Sequence, residues 1–125
     1  MIGKTIDQLS IGDVETFSKT ISESDIYQFA GITGDLNPVH INKEYAAQTV
    51  FKDRIAHGIF LGGLISTVIG TKLPGTGSIY REQVLQFKAP VYIGDTITAR
   101  VEVQSLLPEK NKITLITTCT NQDGK

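Results

Sequence analysis

From Ile55 to Thr71 the chain carries no formally charged residue. A helix that is apolar on every side has no face to give to water, so the rest of the chain must cover it. Gly58, Gly62, Gly63 and Gly70 interrupt the stretch, which is too short and too glycine-rich for a membrane span. Gly58, Gly62, Ser66 and Gly70 recur at every fourth position and lay a slowly drifting stripe of small side chains along the helix. Each interior glycine costs a helix roughly 1 kcal/mol against alanine. Something must therefore approach the stripe closely. Two candidates stay open from the sequence: a neighbouring backbone or sheet, and a narrow ligand. Lys72-Leu73-Pro74-Gly75-Thr76-Gly77 ends the helix with strong breakers.

The flanking segments supply the cover. Ile97, Ala99, Val101 and Val103 alternate with Thr96, Thr98, Arg100, Glu102 and Gln104, the pattern of a half-buried strand. Ser78 to Phe87 and Ile113 to Thr120 read as further strands, Ala89 to Asp95 as a corner, and Leu107 to Asn111 as a hairpin-like turn. Upstream, Val14 to Ile21 reads as a short strand. Ser22 then caps a helix whose first turn holds Glu23 and Asp25, acids that suit the positive end of the helix dipole. Ile26, Phe29, Ala30 and Thr33 recur at helical spacing and predict one face on the core, with Gly34 ending the helix. Asn42 is placed to cap a short helix over Lys43 to Ala47. This order makes an α+β chain, an antiparallel sheet curled round one apolar helix. A length of 125 residues fits one domain, residues 1–125, with enough chain to bury a core without metal or disulfide support.

Composition narrows the function classes. A net charge of −1 without a dense Lys/Arg block argues against a nucleic-acid scaffold. Cys119 is the single cysteine and forms no internal bridge. Met1 to Asp13 has no long apolar run and carries Lys4 and Asp7, unlike a secretory signal. Together these features predict a reducing, cytoplasmic setting.

The chemistry concentrates in Thr33-Gly34-Asp35-Leu36-Asn37-Pro38-Val39-His40. Asp35 and His40 stand five apart, so they are not neighbours on a regular helix. A bend can bring them together. Gly34 permits positive φ, and Pro38 fixes its own φ and turns Asn37 away from the helical region. Asp35 falls just past a helix C-terminus, where the dipole disfavours a carboxylate and raises its pKa if the group is also buried. The residues alone support two readings. One is an acid and an imidazole aimed at a common point. The other is a plain helix-to-helix connection with a solvated Asp and a His folded back as a cap.

The run from Phe29 to His40, continuing to Ala46, resembles the signature of (R)-specific enoyl-CoA hydratases, the MaoC-like dehydratases of the hotdog fold. Ala56-His57-Gly58-Ile59-Phe60-Leu61-Gly62-Gly63 is similar to the start of that family's central helix. Phe87-Lys88-Ala89-Pro90-Val91-Tyr92-Ile93-Gly94-Asp95-Thr96 is similar to its corner before a long strand. The resemblance covers nearly the whole chain. It implies a hydro-lyase that hydrates short- or medium-chain trans-2-enoyl-CoA to the (R)-3-hydroxyacyl-CoA, and reverses the step. His40 and Asp35 would hold and deprotonate one water; which of them serves the α-carbon stays open. The backbone N–H of Gly58 is implied as the oxyanion donor and Asn37 as a brace for the loop. Ser66 is implied as a group lining the site, beside the alternative that its hydroxyl bonds back to its own helix. His57 reads as a structural histidine at the helix start. No metal is implied, and His40 and His57 lack the usual ligand spacing. Coenzyme A belongs to the substrate and is not a bound cofactor; its phosphates would want Lys52, Arg54, Arg81 or Lys88. The family pairs as dimers, so the implied partners are an acyl-CoA and a second copy, with no nucleic acid and no membrane.

One departure stands out. Relatives close the sheet with a strand after the segment ending at Thr120, whereas Asn121 to Lys125 reads as a turn, so an edge strand is expected to be missing. Two other functions suit the same fold: a non-catalytic acyl-CoA or acyl-carrier-binding module, and an acyl-CoA thioesterase working through different residues.

Overall fold

Hydroxyl side chains mark the outer face of the first ladder. The computed structural model describes residues 3–125; Met1 and Ile2, part of the N-terminal stretch read above, lie outside the described residues. Strand β1 (Val14–Thr20) pairs antiparallel with β2 (Thr96–Leu107), and β2 pairs antiparallel with β3 (Lys112–Thr120), giving the order β1-β2-β3. Ser18 and Thr98 share a hydroxyl hydrogen bond of 2.7 Å across β1 and β2, and Thr20 and Thr96 one of 2.8 Å. Such cross-strand pairs pin the register on the polar face. Ile21, predicted as the last residue of β1, leaves the ladder. Its side chain is buried and its N–H donates to the Asp95 carbonyl at 2.8 Å.

The inner face is the alternation read in the sequence. Ile97, Ala99, Val101 and Val103 are all buried on one side of β2. A register shift between Val103 and Ser105 in the pairing with β3 then changes the parity, and Leu106 is the next residue to pack on the core. Burying a Val or Ile side chain contributes about 1.5–3 kcal/mol, so this row is a main source of the fold's stability.

Helix α1 (Glu23–Thr33) starts where predicted. The Ser22 hydroxyl accepts from the Asp25 N–H at 3.0 Å and the Asp25 carboxylate accepts from the Ser22 N–H at 2.9 Å, a reciprocal capping box. Ile26 and Ala30 are buried, but Thr33, predicted on the core face, is exposed and its hydroxyl donates to the Phe29 carbonyl. Gly34 ends the helix in the left-handed region, φ 80° and ψ 6°. The stretch predicted as a continuous bent loop contains one helical turn, α2 (Pro38–Ile41), because Pro38 at its first position needs no N–H partner there. Helix α3 (Lys43–Ala47) follows, capped by Asn42 Oδ1 accepting from Tyr45 N–H at 3.0 Å.

Helix α4 (Gly58–Thr71) is the apolar rod. Leu64, Ile65, Val68 and Ile69 are buried in one cluster with the inner face of β2, Ile21, Ile26 and Leu73. The small-residue stripe meets protein side chains over part of its length. A Cβ at Gly58 would sit 2.7 Å from the Phe87 ring, and one at Gly62 would sit 3.4 Å from Leu85 Cδ1. Ser66 is exposed and a Cβ at Gly70 would meet nothing.

Ser78 to Phe87, predicted as a strand, joins no ladder among the described residues. It runs beside α4 and keeps a trace of its two-residue period, with Gln83 and Leu85 half-buried between exposed Val84 and Gln86. Its link to the sheet is a side-chain contact, Gln83 Nε2 to Thr117 Oγ1 at 3.4 Å. Alternation selects a face, but a strand also needs a paired backbone neighbour, and none joins this segment among the described residues. The corner from Ala89 to Asp95 is present. Its Val91 carbonyl accepts from the Ala56 N–H at 2.7 Å, and the Tyr92 hydroxyl donates to the Phe51 carbonyl at 2.9 Å. These bonds dock the loop that leads into α4.

Candidate active site

Asp35 and His40 meet because the chain reverses between them. Gly34 turns the chain out of α1, and Asn37, with φ −53° and ψ 124°, turns it into α2 while its Oδ1 accepts from the Val39 N–H at 3.2 Å. The Asp35 carboxylate accepts from the Asn37 N–H at 3.4 Å, and the Asp35 N–H donates to the Thr33 hydroxyl at 3.2 Å. Asn37 thus holds both ends of the turn. Asp35 is exposed and lacks the burial that would set it apart from a surface carboxylate.

His40 is 9% exposed, and its Nδ1 lies 2.7 Å from the Ile55 carbonyl oxygen. A carbonyl only accepts, so Nδ1 carries the proton and donates. Nε2 is left with its lone pair, the arrangement a general base needs. His57 is 2% exposed and its Nε2 donates to the Asp35 backbone carbonyl at 3.0 Å. Its ring stacks on His40 with centroids 3.9 Å apart and planes 25° from parallel, and meets Phe29 at 4.7 Å. One ligating atom from each of Asp35, His40 and His57 lies within 4.8 Å of the others. That spacing alone would admit a metal ion. The stacking does not favour one, since imidazole binds a metal in its ring plane and two nearly parallel planes do not converge on a common point.

Gly58 opens α4 directly after His57. Its N–H has no acceptor within the helix and faces outward from the positive end of the dipole. Phe87 packs over the position of its missing Cβ. Ser66 stands about 12 Å further along α4 at 1.5 Å per residue, exposed. Among the described residues its hydroxyl is not a hydrogen-bond partner of Asp35 or His40.

Of the basic residues considered for phosphates, Arg54 is already engaged. Its guanidinium binds the Glu23 carboxylate at 2.7 Å and the Tyr27 hydroxyl, and the Glu23 contact holds it further toward the charged form. Lys52, Arg81 and Lys88 are exposed.

A family model described as MaoC like domain matches residues 9–123. The chain belongs to the MaoC-like domain family. Within it, the chain is 57% identical over 114 residues to an (R)-specific enoyl-CoA hydratase of Rhodospirillum rubrum, covering 91% of this chain and 79% of the relative. It is 49% identical to a 3-hydroxybutyryl-CoA dehydratase of Methylorubrum extorquens, covering 94% and 74%. Among solved structures, the unliganded R-hydratase of Pseudomonas aeruginosa superposes with a TM-score of 0.93 at 44% identity, covering 98% of this chain and 79% of that one. The (R)-hydratase of Aeromonas caviae gives 0.90 at 41%, covering 93% and 88%. The MaoC-like fold of these neighbours is the hotdog arrangement predicted from the signature, an α+β sheet packed on a central helix.

Two features of this MaoC-like site were beyond the local pattern. The Ile55 carbonyl that sets the His40 tautomer leaves no mark in the side-chain sequence. The stacking of His57 on His40 depends on how the corner at Val91 and Tyr92 docks the intervening loop.

Proposed function

We propose that this protein catalyses the reversible, (R)-specific hydration of short- or medium-chain trans-2-enoyl-CoA. The observation that carries the reading is the convergence of the Asp35 carboxylate and the His40 imidazole within 4.8 Å beside the first turn of α4. In the forward step His40 Nε2 takes a proton from a water held between it and Asp35. The resulting hydroxide adds to the β-carbon, and the alkene electron pair moves through the α-carbon onto the thioester oxygen. The Gly58 N–H meets that developing charge. Return of a proton from the dyad to the α-carbon restores the thioester, and the sum is alkene plus water. Asn37 keeps the turn closed, and Ser66 lines the far side of the acyl path.

Coenzyme A enters as part of the substrate. Exposed Lys52, Arg81 and Lys88 offer cations for its phosphates. No described helix is long and apolar enough to cross a membrane. Two copies pair, in this reading, through the apolar side chains that the segment 78–87 leaves exposed.

The test follows the conjugated alkene and free thiol together over a series of enoyl-CoA chain lengths, with chiral analysis of the product. Loss of the alkene without thiol, giving the (R) alcohol, supports the proposal. Thiol release would make the protein a thioesterase, and binding without turnover would make it a carrier module.

A further inference from the structure

We propose that His57 is a positioning residue for the hydration step, fixing Asp35 and His40 relative to one another. The proposal rests on the reading of those two residues as the reacting pair. A buried helix-start histidine with only a structural task needs a packed ring and partners for its nitrogens. His57 has a packed ring, but its one hydrogen bond goes to the backbone of Asp35, and its Nδ1 is buried with no partner among the described residues. An unpaired buried acceptor costs roughly 1–3 kcal/mol. A phenylalanine would pack against Phe29 and His40 without that cost, so packing alone does not account for an imidazole here. What an imidazole adds is the Nε2–H that holds the Asp35 carbonyl at 3.0 Å.

The contacts also have a direction. The Asp35 carbonyl belongs to the same residue as the reacting carboxylate, joined to it through the Cα, and the face of His57 lies on the ring of His40 with centroids 3.9 Å apart. His40 is fixed at its other edge by the Ile55 carbonyl. His57 itself is the N-cap residue of α4, adjacent to Gly58. One side chain therefore ties together the acid, the base and the proposed oxyanion donor, which come from three separate segments. Displacing reacting groups by about 1 Å costs around a hundredfold in rate. A linkage of this kind acts on turnover and leaves ground-state binding nearly untouched.

The test separates the two contacts. His57→Phe keeps the stack and loses the donor; His57→Gln keeps a donor amide near the Nε2 position and loses the stack. Each is expected to lower kcat by about tenfold to a hundredfold with KM within about twofold. In a double-mutant cycle, adding His57→Phe to Asp35→Asn should lower the residual rate by less than about twofold, because the lost donor acts through Asp35, whose carboxylate is already gone. Unchanged kcat, a rise in KM alone, or full additivity in the cycle overturns the proposal. His40→Gln with near-normal turnover would overturn the underlying dyad, and this proposal with it; a crippled His40→Gln beside a normal His57→Phe would overturn only the role of His57. Nitrogen-15 spectra of the unmutated protein give a reading that does not depend on any variant folding. They should show the His57 ring protonated on Nε2 alone, and a proton on Nδ1 would refute the assignment.

Discussion

A backbone carbonyl decides what His40 can do. With Nδ1 donating to Ile55 at 2.7 Å, the neutral ring keeps its lone pair on Nε2, and a ring nitrogen lies within 4.8 Å of an Asp35 carboxylate oxygen. In the proposed reaction, losing that nitrogen would remove the base, and losing the Asp35 charge would remove the group that orients the water. Asp35→Asn and His40→Gln are each expected to lower kcat by at least about a hundredfold. Asp35 is exposed, so its replacement should leave the melting temperature nearly unchanged; the Gln amide falls near the Nε2 position and gives up the Nδ1 bond to Ile55, so His40→Gln should melt lower but still cooperatively. Steady-state kinetics beside thermal melts check both, and near-normal rates would remove the assignment. At this scale the pair was legible because everything that brings it together is local: Gly34 and Pro38 write the bend into the sequence. The contact between His40 and His57 was not, since it depends on Ala56 and Phe51 being bonded to the corner at Val91 and Tyr92.

Elements show a similar division between what local chemistry dictates and what a neighbour decides. The start of α1 was readable from Ser22, Glu23 and Asp25 because a cap is made within one turn. Ser22→Ala should cost about 1 kcal/mol, measured by denaturant unfolding. Burial pushes the Asp25 carboxyl up, but hydrogen bonds from the Ser22 N–H, Lys19 and the Ser22 hydroxyl outweigh it and hold the group below its ordinary value. A depressed carboxylate stabilises the fold fully above the unfolded value, near 3.9, and loses that contribution as pH falls through the lower folded value. Asp25→Asn should therefore be less stable than the unmutated chain at neutral pH, and the gap should close in strong acid. Segment 78–87 carries a strand's alternation without a ladder, because pairing depends on where another backbone lies. In α4 the stripe was legible as a demand for close approach, and Phe87 and Leu85 now account for Gly58 and Gly62. Gly58→Val would drive its Cβ into the Phe87 ring beside the proposed oxyanion donor. An expected loss of at least about tenfold in kcat/KM with a cooperative melt tests whether that N–H must be reached closely.

Over the whole molecule, apolar surface is left where the sheet stops. Ile79, Val84 and Phe87 are 85%, 78% and 59% exposed along one extended segment, and Ile116 on nearby β3 is 42% exposed. Isolated exposed apolar residues are ordinary, but a row of them beside an unpaired strand edge is a surface that associates. The same segment covers Gly58 and Gly62 with Phe87 and Leu85, so whatever packs on its outer side also bears on the start of α4. This links assembly to the site: a partner that presses the segment down would fix Phe87, and a free protomer would leave it looser. Val84 points outward with nothing of its own chain to support, so Val84→Asp should leave the monomer's fold intact while placing a charge in any interface. Sedimentation velocity should show the unmutated protein as a pair of chains and Val84→Asp shifted toward single chains. Turnover by the variant should fall along with pairing and recover as protein concentration rises. An unchanged sedimentation profile would place the pairing surface elsewhere, and single chains with full activity would separate assembly from catalysis.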